Sequence, residues 1–273
     1  MSDAAADPAA LLELATAIAR DAGALLRRAS SASARAAKEH AAQRKSSRTD
    51  LSTEADRASE QLVREAIARA RPDDALLGEE GGATPGSSGL TWVVDPLDGT
   101  TNFVYDYPAW AVSIAVERDG RALAGVVHDP QRGETFAAAL GRGATLNGER
   151  LALGPAPPLA EALVATGFSY SSERRAAQAR LVPAVVPAVR DIRRGGSAAL
   201  DLAYLGAGRL DAFYEAGLKR WDRAAGLLVA SESGALHTDL EGLVPGTSTL
   251  VVAPPVLFEE LCRLLERAST APD

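Results

Sequence analysis

The segment that most constrains the fold of this chain runs from Trp92 to Phe103 and reads WVVDPLDGTTNF. Its continuous apolar start predicts a short strand that is buried on both faces. Pro96 has no N–H group to donate, so the strand is expected to end at Asp95. Gly99 then permits a tight or left-handed turn before two threonines at the start of a new element. The sequence therefore predicts carboxylates at the end of a buried strand.

Two carboxylates in this segment, Asp95 and Asp98, suit a divalent cation together with a phosphate group. Carboxylate and carbonyl oxygens bind Mg²⁺, and exposed N–H groups with neighbouring hydroxyl groups bind an anion. The alternating acids of an EF-hand calcium loop are absent from the segment. A strand-to-turn transition capped by Asp98 is the plain alternative, and it explains the segment in isolation about as well.

Length and composition restrict the class of protein. With 273 residues, of which 47% are hydrophobic, the chain can bury one large core or two cores that face each other. The formal net charge of −7 argues against broad binding of nucleic acid or anionic membranes. The sequence has no long apolar segment and no secretory leader, and its one cysteine, Cys262, cannot form an internal disulfide bond. We therefore expect a soluble, cytoplasmic protein.

Two helices are predicted ahead of the central segment. Apolar residues at helical spacing predict an amphipathic helix over residues 8–28. Residues 29–50 show no sustained period and are interpreted as a mobile loop, which is either a solvated linker or a lid that brings Lys45 toward a phosphate group. The residues 53–56 are consistent with a capping box that opens a second helix ending near Pro72.

Strands are predicted on both sides of the central segment. The residues Ala75–Leu77 predict a short strand that runs into two adjacent acids, Glu79 and Glu80. On its own this acidic pair is typical of an ordinary exposed turn. Hairpin signals at Asp119–Gly120 and Asn147–Gly148 separate later apolar runs, and they predict an antiparallel sheet in the middle of the chain.

The second half of the chain follows a proline-rich break at residues 154–158. Strands are predicted over 163–166, 209–214 and 248–252, and helices over 173–190, 197–207, 222–233 and the C-terminal region. Pro183 and Pro187 interrupt the first of these helices. Both halves of the chain are therefore expected to layer helices on sheets.

A third acidic motif, Trp221-Asp222-Arg223-Ala224-Ala225-Gly226, places Asp222 at the expected N-cap of a helix. Taken alone, a plain helix cap explains it. Taken together, the acids Glu79–Glu80 at a strand end, the DPLDGTT motif that starts at Asp95, and this WDxAAG-type motif resemble the inositol monophosphatase family. Its members are Mg²⁺-dependent, lithium-sensitive phosphatases, and the resemblance covers residues 11–266.

The resemblance implies a five-layered αβαβα sandwich, with an antiparallel sheet in the first half and a mixed sheet in the second. It implies one domain over residues 8–268, made of an N-terminal half at 8–153 and a C-terminal half at 159–268. Family members are commonly homodimers, and the same is expected of this chain.

The resemblance also implies two to three bound Mg²⁺ ions. Glu79, Asp95 and the Leu97 carbonyl group would hold the first ion, while Asp95, Asp98 and Asp222 would hold the second. A third, weaker ion would use Glu79 and water. In such two-metal sites one ion lowers the pKa of a bound water and the other stabilises the departing alkoxide.

Catalytic and phosphate-binding roles are implied for neighbouring residues. Thr100 would position the attacking water and would be hydrogen-bonded to Asp56, while Glu80 would act as a water-bridged partner of the metal site. Phosphate oxygens would be received by Gly99, Thr100, Thr101 and Lys45.

The alcohol part of the substrate is expected to contact Asp98, Gly196, Ser197, Ala198 and Glu215. The Glu215 carboxylate is able to accept hydrogen bonds from ring hydroxyl groups. Ser197 stands where many family members carry threonine. The residues Lys219 and Arg220, ahead of Trp221, form a more basic rim that could admit a second phosphate or a carboxylate.

The expected reaction is hydrolysis of myo-inositol 1-phosphate to inositol and phosphate. Histidinol phosphate is the alternative substrate, and fructose 1,6-bisphosphate, a 3′-phosphoadenosine nucleotide and NADP(H) are less favoured, because such enzymes share the metal site and differ in the substrate pocket. A non-catalytic regulator that binds a metal or a sugar phosphate is the hypothesis from a different class.

Overall fold

The computed structural model describes residues 7–39 and 54–270, with side chains for 7–30 and 54–270. The α-helices are α1 (Pro8–Glu39), α2 (Glu54–Ala70), α3 (Thr100–Val104), α4 (Ser172–Ala179), α5 (Val182–Val185), α6 (Ala198–Gly206), α7 (Arg220–Glu232) and α8 (Pro255–Thr270). Short 3₁₀ helices lie at Leu159–Glu161 and Val186–Ala188.

Thirteen strands form in the described part of the chain, and the two sheets divide them between the halves of the sequence. They are β1 (Ala75–Gly78), β2 (Gly82–Thr84), β3 (Leu90–Asp98), β4 (Ala111–Arg118), β5 (Arg121–Asp129), β6 (Glu134–Ala139), β7 (Gly143–Leu146), β8 (Glu149–Leu151), β9 (Leu163–Thr166), β10 (Asp191–Arg193), β11 (Ala212–Ala216), β12 (Leu236–Val244) and β13 (Thr247–Ala253).

The first sheet has eight strands in the order β2-β1-β3-β4-β5-β6-β7-β8. Its pairs are antiparallel except for β1 with β3, which run parallel. The second sheet has five strands in the order β10-β9-β11-β13-β12, and it combines parallel pairs on both sides of β9 with antiparallel pairs of β13.

Helices cover both sheets and produce the five layers expected from the sequence. Helices α1 and α2 pack on the outer face of the first sheet, α6 and α7 lie between the sheets, and α5 and α8 belong to the outer layer of the second sheet. The prediction of an αβαβα sandwich is therefore confirmed.

Strand β3 is buried on both faces, as its apolar sequence predicts. Trp92 and Val94 pack in the core that contains α1 and α2, while Val93 packs on the opposite face in the core that contains α6 and α7. This is the two-residue alternation of a strand inside a layered fold. Strand β3 is thus held rigidly, and its C-terminal end is a stable place for functional side chains.

Several predicted boundaries are wrong. Helix α1 continues to Glu39, so residues 29–39 are helical and not part of a loop, and residues 40–53, including Lys45, lie outside the described residues. The alanines in this stretch favour a helix through intrinsic propensity, although they show no apolar period. The helix predicted over 173–190 is divided into α4, α5 and a 3₁₀ turn, because Pro183 and Pro187 interrupt it.

Strand β3 does not end at Asp95. It continues to Asp98, and its register against β4 shifts between these two residues. The missing N–H group of Pro96 is therefore accommodated by an irregularity in the ladder and not by termination. Ser59 on α2 donates a hydrogen bond of 2.9 Å from its hydroxyl group to the Pro96 carbonyl oxygen and supports this bend.

None of the helices that the structure describes is both long and apolar enough to cross a lipid bilayer.

Candidate active site

The end of β3 and the following turn place several polar groups on one cavity. Gly99 has a φ of 98°, and a Cβ atom at this position would lie 2.9 Å from the Ala109 carbonyl oxygen. Only glycine fits such a position without strain. The Leu97 N–H group donates to Asp95 Oδ1 at 3.0 Å, which orients the first carboxylate.

A cavity of about 350 Å³ lies at this end of β3. Glu79 follows β1, which runs parallel beside β3, so both strands end at the same edge of the sheet. Asp222 arrives from the opposite side, in the first turn of α7. The lining consists of Glu79, Glu80, Asp95, Leu97, Asp98, Gly99, Thr100, Tyr170, Trp221 and Asp222.

Asp222 is not the N-cap of α7, as the sequence suggested. It is the third helical residue, and its Oδ2 atom accepts a 2.6 Å hydrogen bond from the backbone N–H group of Lys219. This backward contact is the acidic half of a capping box. It holds the carboxylate at the helix start, where it lines the cavity.

The carboxylates of this cavity strongly disfavour one another's ionisation. The pKa of Glu79 is raised to about 8 and the pKa of Asp222 to about 7. Burial is the larger cause of both shifts, and repulsion from neighbouring acids is the smaller one. The same causes raise the pKa of Asp95 well above its usual value. Burial raises the pKa of Asp98 to about 6, although hydrogen bonds from Ser197 and Ala199 act in the opposite direction.

This donor set fits divalent cations. No lysine or arginine is among the described residues that line the cavity, and buried carboxylates without a counter-charge are costly. In the described part of the chain, no three acidic, histidine or cysteine side chains are already grouped closely enough to hold a metal ion. Oxygen-bound cations would remove the repulsion and draw these groups together.

Thr100 and Asp56 lie within hydrogen-bonding distance. The Thr100 hydroxyl oxygen is 3.4 Å from Asp56 Oδ2 and 3.1 Å from the Leu97 carbonyl oxygen, so two acceptors are within reach of its proton. Asp56 is buried in the first turn of α2. The predicted pairing of these residues therefore has a matching contact, while their catalytic role stays a prediction.

The acidic turn after β1 is held by a residue that the sequence analysis missed. Glu60 on α2 accepts hydrogen bonds from the backbone N–H groups of Glu80 at 2.9 Å and Gly81 at 2.8 Å, and it also pairs with Arg64 at 2.6 Å. Glu60 is buried among the apolar positions of its helix. The sequence carries no motif that marks Glu60, because its contacts with the turn after β1 form only in the folded structure.

A second, smaller cavity of about 110 Å³ adjoins the first and shares Asp98, Tyr170 and Asp222 with it. It brings together the residues predicted to contact the alcohol group, namely Gly196, Ser197, Ala198 and Glu215. Asp98 connects the two cavities, because its Oδ2 atom accepts hydrogen bonds from the Ser197 hydroxyl group at 2.6 Å and the Ala199 N–H group at 2.7 Å.

Other residues of the smaller cavity had no signal in a motif. Asp201 and Arg194 both line it, and Tyr170 lies between the two cavities with its hydroxyl oxygen 3.2 Å from that of Thr101. Asn102 donates to the carbonyl oxygens of Ala109 at 2.6 Å and Gly195 at 2.9 Å, and it thereby ties the turn after β3 to the loop before α6.

The model of the inositol monophosphatase family matches residues 7–270. This chain belongs to the inositol monophosphatase family. Phosphatase activity is therefore supported, and family members generally depend on metal ions.

Individual members of the family are similar over most of their length. The inositol-1-monophosphatase SuhB of Mycobacterium tuberculosis is 48% identical over 237 residues, which cover 82% of this chain and 80% of the relative. A solved structure of M. tuberculosis SuhB has a TM-score of 0.81 and 39% identity, covering 96% of this chain and 98% of that one. The Nus factor SuhB of Pseudomonas aeruginosa is 46% identical over 199 residues, with 71% and 73% covered.

Proposed function

We propose that this chain is a Mg²⁺-dependent phosphomonoesterase that hydrolyses inositol 1-phosphate to inositol and phosphate. The observation that carries the proposal is the convergence of Glu79, Asp95, Asp98 and Asp222 on one cavity beside Thr100. The name of the M. tuberculosis relative, inositol-1-monophosphatase, supports the choice of substrate.

The acidic groups would hold two Mg²⁺ ions. Glu79, Asp95 and the Leu97 carbonyl oxygen would bind one, Asp95, Asp98 and Asp222 would bind the other, and Glu79 would contribute to a weaker third site. When bound, such ions lower the pKa of a coordinated water and stabilise the charge on the phosphate and on the departing oxygen.

Thr100 and Asp56 would orient the attacking water. If the Thr100 hydroxyl group donates to Asp56, its oxygen lone pairs face the cavity and accept a hydrogen bond from the water. The water oxygen would then form a bond to phosphorus while the bond from phosphorus to the alcohol oxygen breaks. One proton of the water would stay on the phosphate product, and the other would pass to the alcohol oxygen. No covalent intermediate with the enzyme is required.

The turn after β3 would bind the phosphate group. The N–H groups of Gly99 and Thr100 and the hydroxyl group of Thr101 would donate to its oxygens, and Glu80 would be bridged through water. The phosphate contact predicted for Lys45 falls outside the described residues. On the alcohol side, Glu215 would accept hydrogen bonds from ring hydroxyl groups beside Gly196, Ser197 and Ala198.

Phosphate release from inositol 1-phosphate, measured with Mg²⁺ and with EDTA, tests this function. The expected result is turnover that requires Mg²⁺ and is inhibited by Li⁺. Absence of turnover on every phosphomonoester tested would contradict it. If only histidinol phosphate is turned over efficiently, the proposed reaction stands and the proposed substrate is wrong. The other substrates to be compared are fructose 1,6-bisphosphate, 3′-phosphoadenosine nucleotides and NADP(H).

A regulatory function is the competing hypothesis, because the P. aeruginosa relative carries the name Nus factor. A protein that acts only by binding would have no phosphatase activity. Replacement of Thr100 would leave its fold and its binding to partners unchanged. We also expect one domain over residues 8–268, a homodimer and a cytoplasmic location. Limited proteolysis tests the expectation of one domain, and light scattering tests the expectation of a homodimer.

A further inference from the structure

The turn that joins β1 to β2 and carries Glu79 is largely exposed to solvent. Glu79 and Gly81 are exposed, and so are all three residues of β2. Strand β2 is also the edge strand of the first sheet. Burial of apolar side chains therefore contributes little to the conformation of this turn, and polar contacts have to fix it instead.

Two side chains of α2 supply such polar contacts. Glu60 Oε2 accepts a hydrogen bond of 2.9 Å from the N–H group of Glu80, and its Oε1 atom accepts one of 2.8 Å from the N–H group of Gly81. One helical turn further along α2, Arg64 donates a hydrogen bond of 2.7 Å to the carbonyl oxygen of Gly82. The helix thus holds three consecutive residues of the turn.

The backbone of the turn leaves space for these two side chains. A Cβ atom at Gly78 would lie 2.6 Å from Glu60 Oε1, and a Cβ atom at Gly81 would lie 2.7 Å from both Glu60 Oε1 and Arg64 Nη2. Neither glycine has a positive φ, so the backbone conformation does not require glycine there. The requirement comes from the Glu60 carboxylate, which is 3% exposed and pairs with Arg64 at 2.6 Å.

The backbone of Glu79 is held on both of its sides. Its own N–H group donates a hydrogen bond of 3.3 Å to the carbonyl oxygen of Val94, the residue before Asp95 on β3. The following N–H group, that of Glu80, donates to Glu60. Because each peptide unit is planar and rigid, these two contacts fix where the Glu79 side chain leaves the backbone relative to Asp95.

We propose that Glu60, oriented by Arg64, is a positioning residue for the cation site that contains Glu79. It keeps the Glu79 carboxylate beside Asp95 before a cation binds, so that the cation does not have to order the exposed turn. The inference rests on the cation site of the proposed phosphatase function, and it adds Glu60 to the residues that determine cation affinity.

The other proposed cation site has separate supports. Asp98 accepts its hydrogen bonds at the start of α6, and Asp222 accepts one from the N–H group of Lys219. These donors lie neither on α2 nor in the turn after β1. A change at Glu60 should therefore weaken the binding of one cation and spare the other, whereas a general loss of stability would weaken both.

Titration of the full chain with Mn²⁺, followed by electron paramagnetic resonance, tests the inference without any need for turnover. The wild-type protein is expected to bind two ions tightly. In Glu60→Gln the side chain keeps its size but offers one acceptor oxygen to two N–H groups. The affinity for one ion should fall by about tenfold or more, and the affinity for the other should stay within about twofold of the wild type.

Arg64→Lys is the second variant, and it carries the test if Glu60→Gln does not fold. It keeps the positive charge beside Glu60 and loses the planar guanidinium group that bonds Glu60 and Gly82 together. The same ion should bind more weakly in this variant, by about threefold. Melting curves establish that both variants fold.

The control is Glu65→Gln, which removes the same charge from an exposed residue of α2 whose carboxylate accepts a hydrogen bond from Gln61. Its affinities for both ions should equal those of the wild type. This variant has the same helix and the same change in charge, so any difference from Glu60→Gln comes from the contacts with the turn.

Phosphatase assays separate positioning from catalysis. In Glu60→Gln the Mg²⁺ concentration that gives the half-maximal rate should rise by about tenfold. At saturating Mg²⁺ the kcat should return to within about threefold of the wild type, because the cation then fills its site. A loss of kcat that no Mg²⁺ concentration restores would overturn the positioning role.

Unchanged affinities for both ions in a folded Glu60→Gln variant would overturn the inference and leave the phosphatase function intact. Equal weakening of both ions would overturn it as well. A wild-type protein that binds two Mn²⁺ ions and releases phosphate from no ester would contradict the proposed function, while the selective loss in Glu60→Gln would still support the positioning of Glu79. A wild-type protein that binds no Mn²⁺ would contradict both.

Discussion

The two adjoining cavities both contain buried acids, but these acids reach their positions in different ways. In the larger cavity Glu79 and Asp95 come from the ends of the parallel neighbours β1 and β3. In the smaller cavity Asp201 comes from a helix whose first turn is otherwise apolar, and Glu215 is the penultimate residue of β11. The first group lies in short motifs that are visible in the sequence, whereas Asp201 lies in no motif and Glu215 was predicted only through the family resemblance.

The surroundings of the acids also differ. The larger cavity has no lysine or arginine among its described lining residues, so cations from solution would have to balance its negative charge. The smaller cavity has Arg194 at its edge and two glycines that make room for carboxyl groups. The first arrangement suits metal ions and the second suits the hydrogen-bond donors of an organic molecule. Under the proposed function, the larger cavity would carry the chemistry and the smaller cavity would select the alcohol group.

The proposed difference between the two cavities is tested most severely by the Asp98→Asn variant, because Asp98 lines both cavities. Loss of a ligand charge should lower kcat by about 10³-fold or more without unfolding the protein, as measured by phosphate release and thermal melting. Asp119→Asn, in a hairpin turn with a φ of 51° that asparagine tolerates, is the control and should keep the wild-type rate. A folded Asp98→Asn variant with the wild-type rate would remove this residue from the site.

Thr100→Ala should have the second largest effect. It removes the hydroxyl group that lies 3.4 Å from Asp56, and kcat is expected to fall by about 10²-fold while KM changes little. Thr100→Ser restores the hydroxyl group and should recover most of the rate. Equal rates for the alanine and serine variants would show that the hydroxyl group does not orient the water.

Gly167→Ala acts on the smaller cavity alone. The added methyl group would displace the carboxyl group of Glu215, and we expect KM for inositol 1-phosphate to rise by about tenfold with a smaller change in kcat. Gly154→Ala is the matched control, because a Cβ atom there meets no atom within 4 Å. If both variants have the wild-type KM, Glu215 does not contact the substrate.

The smallest expected effect is on stability, and its sign follows from the raised pKa values. Glu79, with a pKa of about 8, and Asp222, with a pKa of about 7, hold their protons more tightly in the folded state than in the unfolded state. In EDTA, stability should therefore fall as the pH rises from about 4 toward 8, because the folded state must give up protons that the unfolded state has already lost.

Melting temperatures measured across this pH range in EDTA and in Mg²⁺ check the expectation. Mg²⁺ should raise the melting temperature by several degrees near pH 8 and very little near pH 5. Asp222→Asn should flatten the dependence measured in EDTA. A melting temperature in EDTA that rises throughout this range, or one that Mg²⁺ leaves unchanged at pH 8, would contradict the electrostatic account of the larger cavity.

The residues that local sequence patterns identified lie in short contiguous motifs, whereas Asp56 and Glu215 were predicted only through the family resemblance. Asp95, Asp98 and Gly99 follow one apolar run, and the turn they predict is present with the expected positive φ. The hairpin turns at Asp119–Gly120 and Asn147–Gly148 were predicted for the same reason and are confirmed by their positive φ values. Local conformational preference is sufficient in all these cases.

The features that were missed depend on contacts distant in sequence. Asp201 and Glu60 are acids on helices that pack against other elements, and their surroundings exist only after folding. Strand β12 has a largely exposed, polar sequence at the edge of its sheet, so no apolar period predicts it. The end of β3 was misplaced because the irregular register at Pro96 depends on its neighbours β4 and α2.

The acids of the larger cavity are proposed to hold divalent cations. Anomalous diffraction from crystals grown with Mn²⁺, which is as suited as Mg²⁺ to oxygen ligands, tests it most directly. The account predicts two ions that share Asp95, one also bound by Glu79 and the other also bound by Asp98 and Asp222. Mn²⁺ bound elsewhere in crystals of a fully active protein, with this cavity empty, would contradict the claim.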